Sequence, residues 1–212
     1  MTKGLKVFTS NRLEILADEL AQISRVPLEL PFQPEFVVVQ SQGMARWLSL
    51  QLAERNAICA NYKFPFPNAF AHLIFKACWP ELPPEPDSRL DVLVWRVMHH
   101  LPSLLGELAF LDLSRYLSDS SDSRKLFQLS KKIAWLFDQY LVYRPELIEL
   151  WDTGGEAHWQ AELWRTVAQD FKSPHSATLR KELFQRISSP GLNFPRLPER
   201  ISVFGVSALP PF

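Results

Sequence analysis

One stretch constrains this chain more than any other: Phe36-Val-Val-Val-Gln-Ser-Gln-Gly-Met-Ala-Arg-Trp-Leu-Ser-Leu-Gln-Leu52. It opens on Phe36, Val37, Val38 and Val39, an apolar run rich in β-branched residues. A strand buried on both faces of a parallel sheet reads this way. The run breaks at Gln40-Ser41-Gln42-Gly43, and Met44, Trp47, Leu48 and Leu52 then recur at helical spacing. A strand, a short polar turn and a helix is how α/β proteins place a site at the carboxyl end of a strand. Gln40, Gln42 and Arg46 stand at that mouth. Long Gln and Arg side chains are the usual readers of base edges.

The flanking chain extends the pattern. Leu5–Thr9 is expected as a first strand, with Ser10 or Asn11 capping a helix and Glu14 placed for a capping box on Asn11. Leu13, Leu16, Leu20 and Ile23 form that helix's stripe, and Pro27, Pro31 and Pro34 make a rigid connector to the strand at 36–40. Short connections of this kind give right-handed βαβ units and a parallel sheet. An extended segment is expected at 58–64, then a hard turn at Pro65-Phe66-Pro67 and a helix carrying Phe70, Leu73, Ile74 and Ala77. Phe66, held between prolines, suits either base stacking or a place in the core.

After a Pro-rich linker at 80–88 the chain reads as helical to about 188. Leu90, Leu93, Val94, Val97 and Met98 give one stripe, with His99 and His100 expected at its C-terminus. Adjacent histidines point to different sides of a helix and chelate a metal poorly. A short helix or pair follows over 104–117, and Ser118–Ser123 offers several N-caps. The long helix after it buries Leu126, Leu129, Ile133, Leu136 or Phe137, and Tyr140. Arg124, Lys125, Lys131 and Lys132 lie on its outside, as a solvated basic face or as candidate phosphate contacts. Asp138, Gln139 and Arg144 near its end add groups suited to bases. Helices are expected at 145–151, 156–171 and 176–187, then a Pro-rich return at 189–198 and a closing strand at 200–205. The fold class is therefore α/β: a small parallel sheet with a large, mostly α-helical insertion. The expected division is an α/β part at 1–80, a helical subdomain at 81–190 and a return to the sheet at 191–212.

With 212 residues, 47% of them hydrophobic and 22% charged, the chain can bury a sizeable core. Its formal net charge is zero, so any affinity for nucleic acid must come from local patches. Cys59 and Cys78 are expected as buried, reduced thiols, with a disulfide as the lesser alternative. The sequence holds no C-x-x-C or H-E-x-x-H pattern, so no metal is expected. No apolar run is long enough to cross a bilayer, which together with the N-terminus places the protein in the cytoplasm as an expectation. The chain stops directly after an apparent core strand, so a truncated piece is expected.

Chemistry is conspicuous by its gaps. A phosphate-binding loop needs glycines and a Lys at the first strand-to-helix turn. Here that turn is Thr9-Ser10-Asn11-Arg12-Leu13. The closing strand ends in Phe204-Gly205, where a helicase-type NTPase carries an acidic pair for Mg²⁺. The carboxylates are scattered, with no G-x-S-x-G elbow and no paired nuclease set. A degenerate NTPase fold accounts for both gaps.

Four motifs then stand in order: Gln40-Ser41-x-Gly43-Met44-Ala45-x-Trp47-Leu48; Phe64-Pro65-x-Pro67-x-x-Phe70; Arg124–Ser130 continuing to Leu136–Pro145; and Gly205-x-Ser207-Ala208-Leu209-Pro210-Pro211. Together they resemble the exodeoxyribonuclease V gamma chain (RecC) family, in its N-terminal region. The resemblance implies a superfamily 1 helicase-like domain that has lost ATPase chemistry. It implies partners as well: the beta chain (RecB), the alpha chain (RecD) and DNA, both the 3′-ended single strand and duplex ends. No cofactor is implied in this chain, ATP and Mg²⁺ being used by the partner subunits. The implied role is non-catalytic: channelling the 3′-ended strand and scanning it for the recombination hotspot Chi during double-strand break repair. Carried over position by position, the Chi-binding residues are Gln40, Gln42, Arg46, Phe66, His72, Trp135, Leu136, Asp138, Gln139 and Arg144.

This chain departs from the family tendency at Arg46, His72 and Trp135, where Gln, Trp and an acid are usual, and at Ser176, where an Arg is expected. The resemblance therefore implies strand binding more firmly than any particular hotspot sequence. Two other roles stay open: a structural scaffold whose aromatic surface docks the beta chain, and a helicase or nuclease subunit like AddB.

Overall fold

The computed structural model describes residues 4–30, 32–118, 123–188 and 197–206. The chain divides into two units, one of Met1–Cys78 with Phe194–Leu209, the other of Trp79–Asn193 with Pro210–Phe212.

The first unit is built on three parallel strands: β1 (Glu35–Val38), β2 (Tyr62–Lys63) and β3 (Ile201–Val203). Their order is β2-β1-β3. Glu35 pairs with Tyr62, and Phe36, Val37 and Val38 pair with Ile201, Ser202 and Val203. β1 is thus central, and Phe36 to Val39 are all buried, as an uninterrupted apolar run requires. Helices α1 (Leu13–Ser24) and α2 (Gln42–Asn56) pack their Ala17, Leu20, Ala21, Leu48 and Leu52 with Val37, Val39 and Phe204. On α3 (Pro67–Cys78), Phe70 meets Phe36 with ring centroids 6.3 Å apart. A buried guanidinium ties the N-terminal edge together. Arg200 donates to the Glu35 carboxylate, to Ile23 O at 2.9 Å and to Val26 O at 2.9 Å.

Three expectations fail here. Leu5–Thr9 is irregular, not a strand, and Leu5 and Val7 point into solvent. Both edges of the central strand are already taken by β2 and β3, so this segment joins no ladder beside β1. The cap of α1 is Arg12, which makes no side-chain cap, not Ser10 or Asn11. The Ser10 hydroxyl instead accepts from the Arg12 N–H at 3.1 Å, before the helix begins. Cys59 and Cys78 lie outside any disulfide and are half-buried, not buried.

The second unit is helical: α4 (Leu90–Leu104), a 3-10 turn at Leu108–Phe110, α5 (Leu111–Ser118), α6 (Ser123–Tyr143), α7 (Pro145–Asp152), α8 (Trp159–Ala168) and α9 (Ser176–Ile187). Its core centres on aromatic rings. Phe137 meets Trp164 edge-on at 5.3 Å and Trp151 at 6.3 Å. Both buried indoles keep their N–H groups satisfied, as burial demands: Trp151 donates to Glu156 Oε2 and Trp164 to Asp152 Oδ1, each at 2.9 Å. α7 closes in a Schellman motif. Gly154, at φ +83°, donates to Trp151 O, and Gly155 donates to Leu150 O at 2.9 Å. α4 passes His99 and His100 and runs through Pro102 to Leu104, so the histidines are not its end. Pro102 is tolerated because it falls in the last turn, where one lost hydrogen bond interrupts little. The expected caps at 119–122, most of the Pro-rich return and the Ser207–Pro211 motif lie outside the described residues.

Candidate nucleic-acid interface

In the first unit, three chain segments meet at the carboxyl end of the sheet. Val39 N–H donates to Pro65 O at 3.1 Å, and Phe204 N–H donates to Val38 O at 2.9 Å. Gln40, Phe66 and Gly205 therefore follow the same edge of the sheet. Ser41 caps α2 there, its hydroxyl accepting from Met44 N–H at 3.1 Å. The first turn of α2 holds no acidic residue, so the positive end of the helix is uncompensated by its own side chains. Gln40, Gln42 and Arg46 are all exposed, and Gln42 and Arg46, four apart on α2, share a face. Gly205 takes φ +61°, and a Cβ there would lie 3.1 Å from Met44 Cε, so the end of β3 closes tightly on the start of α2.

Phe66 is 41% exposed, and its carbonyl accepts from Phe70 N–H at 2.8 Å. It is displayed at the start of α3, not used as a core plug. His72 lies about a turn and a half further along α3 and is half-buried. A groove of about 280 Å³ runs beside α2, lined by Leu13, Glu14, Gly43, Met44 and Trp47. It offers a carboxylate and apolar surface, a poor lining for a nucleotide phosphate.

In the second unit the candidate residues belong to α6 and its junction with α7. The core side of α6 carries Ile133, Ala134, Phe137 and Leu141. At 100° per residue, Lys131, Trp135 and Gln139 face away from that side, while Phe127 and Asp138 lie on its flank. Trp135 is 52% exposed, while Asp138 and Gln139 are half-buried, with Gln139 Nε2 donating to Asp138 Oδ2 at 3.3 Å. Burial pushes the Asp138 carboxyl above the ordinary carboxylate range, and the Gln139 hydrogen bond offsets only part of that. Leu136 sits on the flank of the helix, half-buried. Arg144 caps α7 and donates to Glu146 Oε1 at 3.0 Å, which holds its guanidinium at the helix junction. Arg124, Lys131 and Lys132 are exposed. Lys125 instead lies over the Tyr116 ring, 4.4 Å from its centroid.

Each unit thus gathers one set of the expected residues, with His72 and Leu136 set back from the outer surface of theirs. The family model described as RecC, N-terminal domain matches residues 5–212. The chain belongs to the RecC family. It is 42% identical over 220 residues to the RecBCD enzyme subunit RecC of Escherichia coli (strain K12), covering 98% of this chain and 20% of that protein. The Haemophilus influenzae RecC is 37% identical over 237 residues, covering 96% of this chain and 21% of that protein. The Mycolicibacterium smegmatis RecC is 31% identical over 218 residues, covering 98% and 19%. The chain spans about a fifth of the length of these relatives. No helix among the described residues is long and apolar enough to cross a membrane.

Sequence reasoning missed three features of this RecC-type chain. Arg200 stands at the start of the expected closing strand, yet its guanidinium is buried against Glu35. His175, which caps α9, lies 2.8 Å from Asp152, and a hydrogen bond between residues so far apart in the chain leaves no local signature. Trp95 is 63% exposed. Its signal was present, since it falls opposite the Leu93, Val94 and Val97 stripe.

Proposed function

We propose that this chain is the N-terminal part of a non-catalytic DNA-binding subunit of a RecBCD-type exodeoxyribonuclease V complex. It channels the 3′-ended single strand and scans it for a Chi hotspot during double-strand break repair. Its partners are the RecB and RecD subunits, which use the ATP and Mg²⁺. The carrying observation is the carboxyl edge of the sheet, where the start of α2, with no acidic residue in its own first turn, presents Gln40, Gln42 and Arg46 outward. Those are donors and acceptors suited to bases and phosphates. Trp135, Asp138, Gln139 and Arg144 on the helical unit supply a stacking surface and further hydrogen-bonding groups. Arg46, His72 and Trp135 are the positions that set which sequence is read.

The test is a cleavage map of linear DNA made with the full-length chain in its complex, carrying Gln40→Ala and Asp138→Ala. Assembly stays intact and the hotspot-dependent cleavage pattern changes. A scaffold role, suggested by the exposed aromatic residues of the helical unit, predicts the reverse: assembly fails, or the pattern is unchanged.

A further inference from the structure

Trp95 and Phe127 stand in the open on the helical unit, 63% and 36% exposed. Their ring centroids are 5.7 Å apart and their planes inclined by 41°. Neither ring belongs to the unit's core: Trp95 lies opposite the buried stripe of α4, and Phe127 lies on the flank of α6. Phe127 begins a row on α6 that continues through Lys131 to Trp135, one side chain every four residues. Phe127 and Trp135 are about 12 Å apart along the axis on ideal geometry. Lys131, between them, and its neighbour Lys132 are exposed and have no acidic partner among the described residues.

This surface alternates π-faces with positive charge on a chain whose formal net charge is zero. A single DNA strand matches such alternation. Every base has a face to stack, whatever its identity, and every phosphate a charge to meet. An apolar protein surface matches it badly, because docking would strip water from the Lys131 ammonium near its centre.

We propose that Trp95 and Phe127 form a sequence-independent stacking platform for single-stranded DNA, with Lys131 taking a phosphate between this platform and Trp135. The proposal rests on the strand-facing reading of Trp135 and carries the strand's path toward the N-terminal half of α6.

The test measures binding of a uniform oligothymidylate by the full-length chain. Trp95→Leu with Phe127→Leu keeps apolar bulk but removes the π-faces, and the expected result is affinity about tenfold or more weaker at an unchanged melting temperature. Lys131→Gln lowers the slope of log K against log salt by about 0.7, and this arm holds should the double variant fold poorly. Parent affinity in the double variant, with Trp135→Ala still weakened, overturns the platform and leaves the strand-facing reading of α6 in place. Parent affinity in all the variants, or no binding by the parent, overturns both. A double variant that binds the oligonucleotide normally but no longer joins its partner subunits marks a protein-docking surface instead, and also overturns the platform.

Discussion

At the scale of single residues, Asp138 and Asp152 show two carboxylates in one helical unit held to different ends. Asp138 is half-buried beside Gln139, and burial raises its pKa. A carboxyl raised in the fold contributes stability at low pH, which is lost as pH climbs through the raised value. Asp138→Asn should therefore stabilise the unit at neutral pH, by less than about 1 kcal/mol given its partial exposure, as read in a melting curve. That cost is what a group kept for binding rather than for folding would show. Asp152 has the opposite balance. Burial pushes its carboxyl up, but hydrogen bonds from His175 and Trp164 more than offset this and leave it below the ordinary value. Its contribution is present above the ordinary carboxylate range and lost as pH falls below about 4. Asp152→Ala leaves the buried Trp164 N–H unpaired and should cost about 1–3 kcal/mol at neutral pH, with the difference from the parent shrinking in acid.

Among the elements, β3 is held to its unit by its ladder with β1 and, just before it, by one buried charge pair. Arg200→Met would strand the Glu35 carboxylate, whose side chain is only 14% exposed. Denaturant unfolding should show a loss of about 3–5 kcal/mol, much of it recovered by adding Glu35→Gln. The end of α7 depends on Gly155, where an added Cβ would lie 2.8 Å from Leu150 O and closer still to the Leu150 side chain. Gly155→Ala should cost about 1–3 kcal/mol by the same measurement, because a backbone carbonyl cannot move aside as a side chain can.

Elements with one dominant local signal were legible in the sequence. β1 announced itself by four consecutive apolar residues, and α6 by an apolar stripe following a polar loop. Leu5–Thr9 has strand-like alternation too, but whether a short apolar run becomes a strand depends on a free neighbouring edge, which no local pattern encodes. The placement of Gln40, Gln42 and Arg46 at the mouth of the sheet was legible because that stretch directly follows β1. The Trp95–Phe127 pair was not, because it joins two helices about thirty residues apart.

At the scale of the whole molecule, this RecC-family chain is two units of contrasting construction. One is a small parallel sheet whose carboxyl edge shows polar side chains, the other a helical unit with an aromatic core and a basic, aromatic outer face. We propose that the sheet edge keeps the ligand-facing position of an NTPase-like fold and uses it for a DNA strand. The direct measurement is photocrosslinking from position 42, with a photoreactive residue replacing Gln42 in the full-length chain assembled in its complex on a DNA end labelled on each strand. The expected result is a crosslink to the 3′-ended strand. A crosslink to the 5′-ended strand alone, to a partner subunit, or to no DNA at all would contradict it.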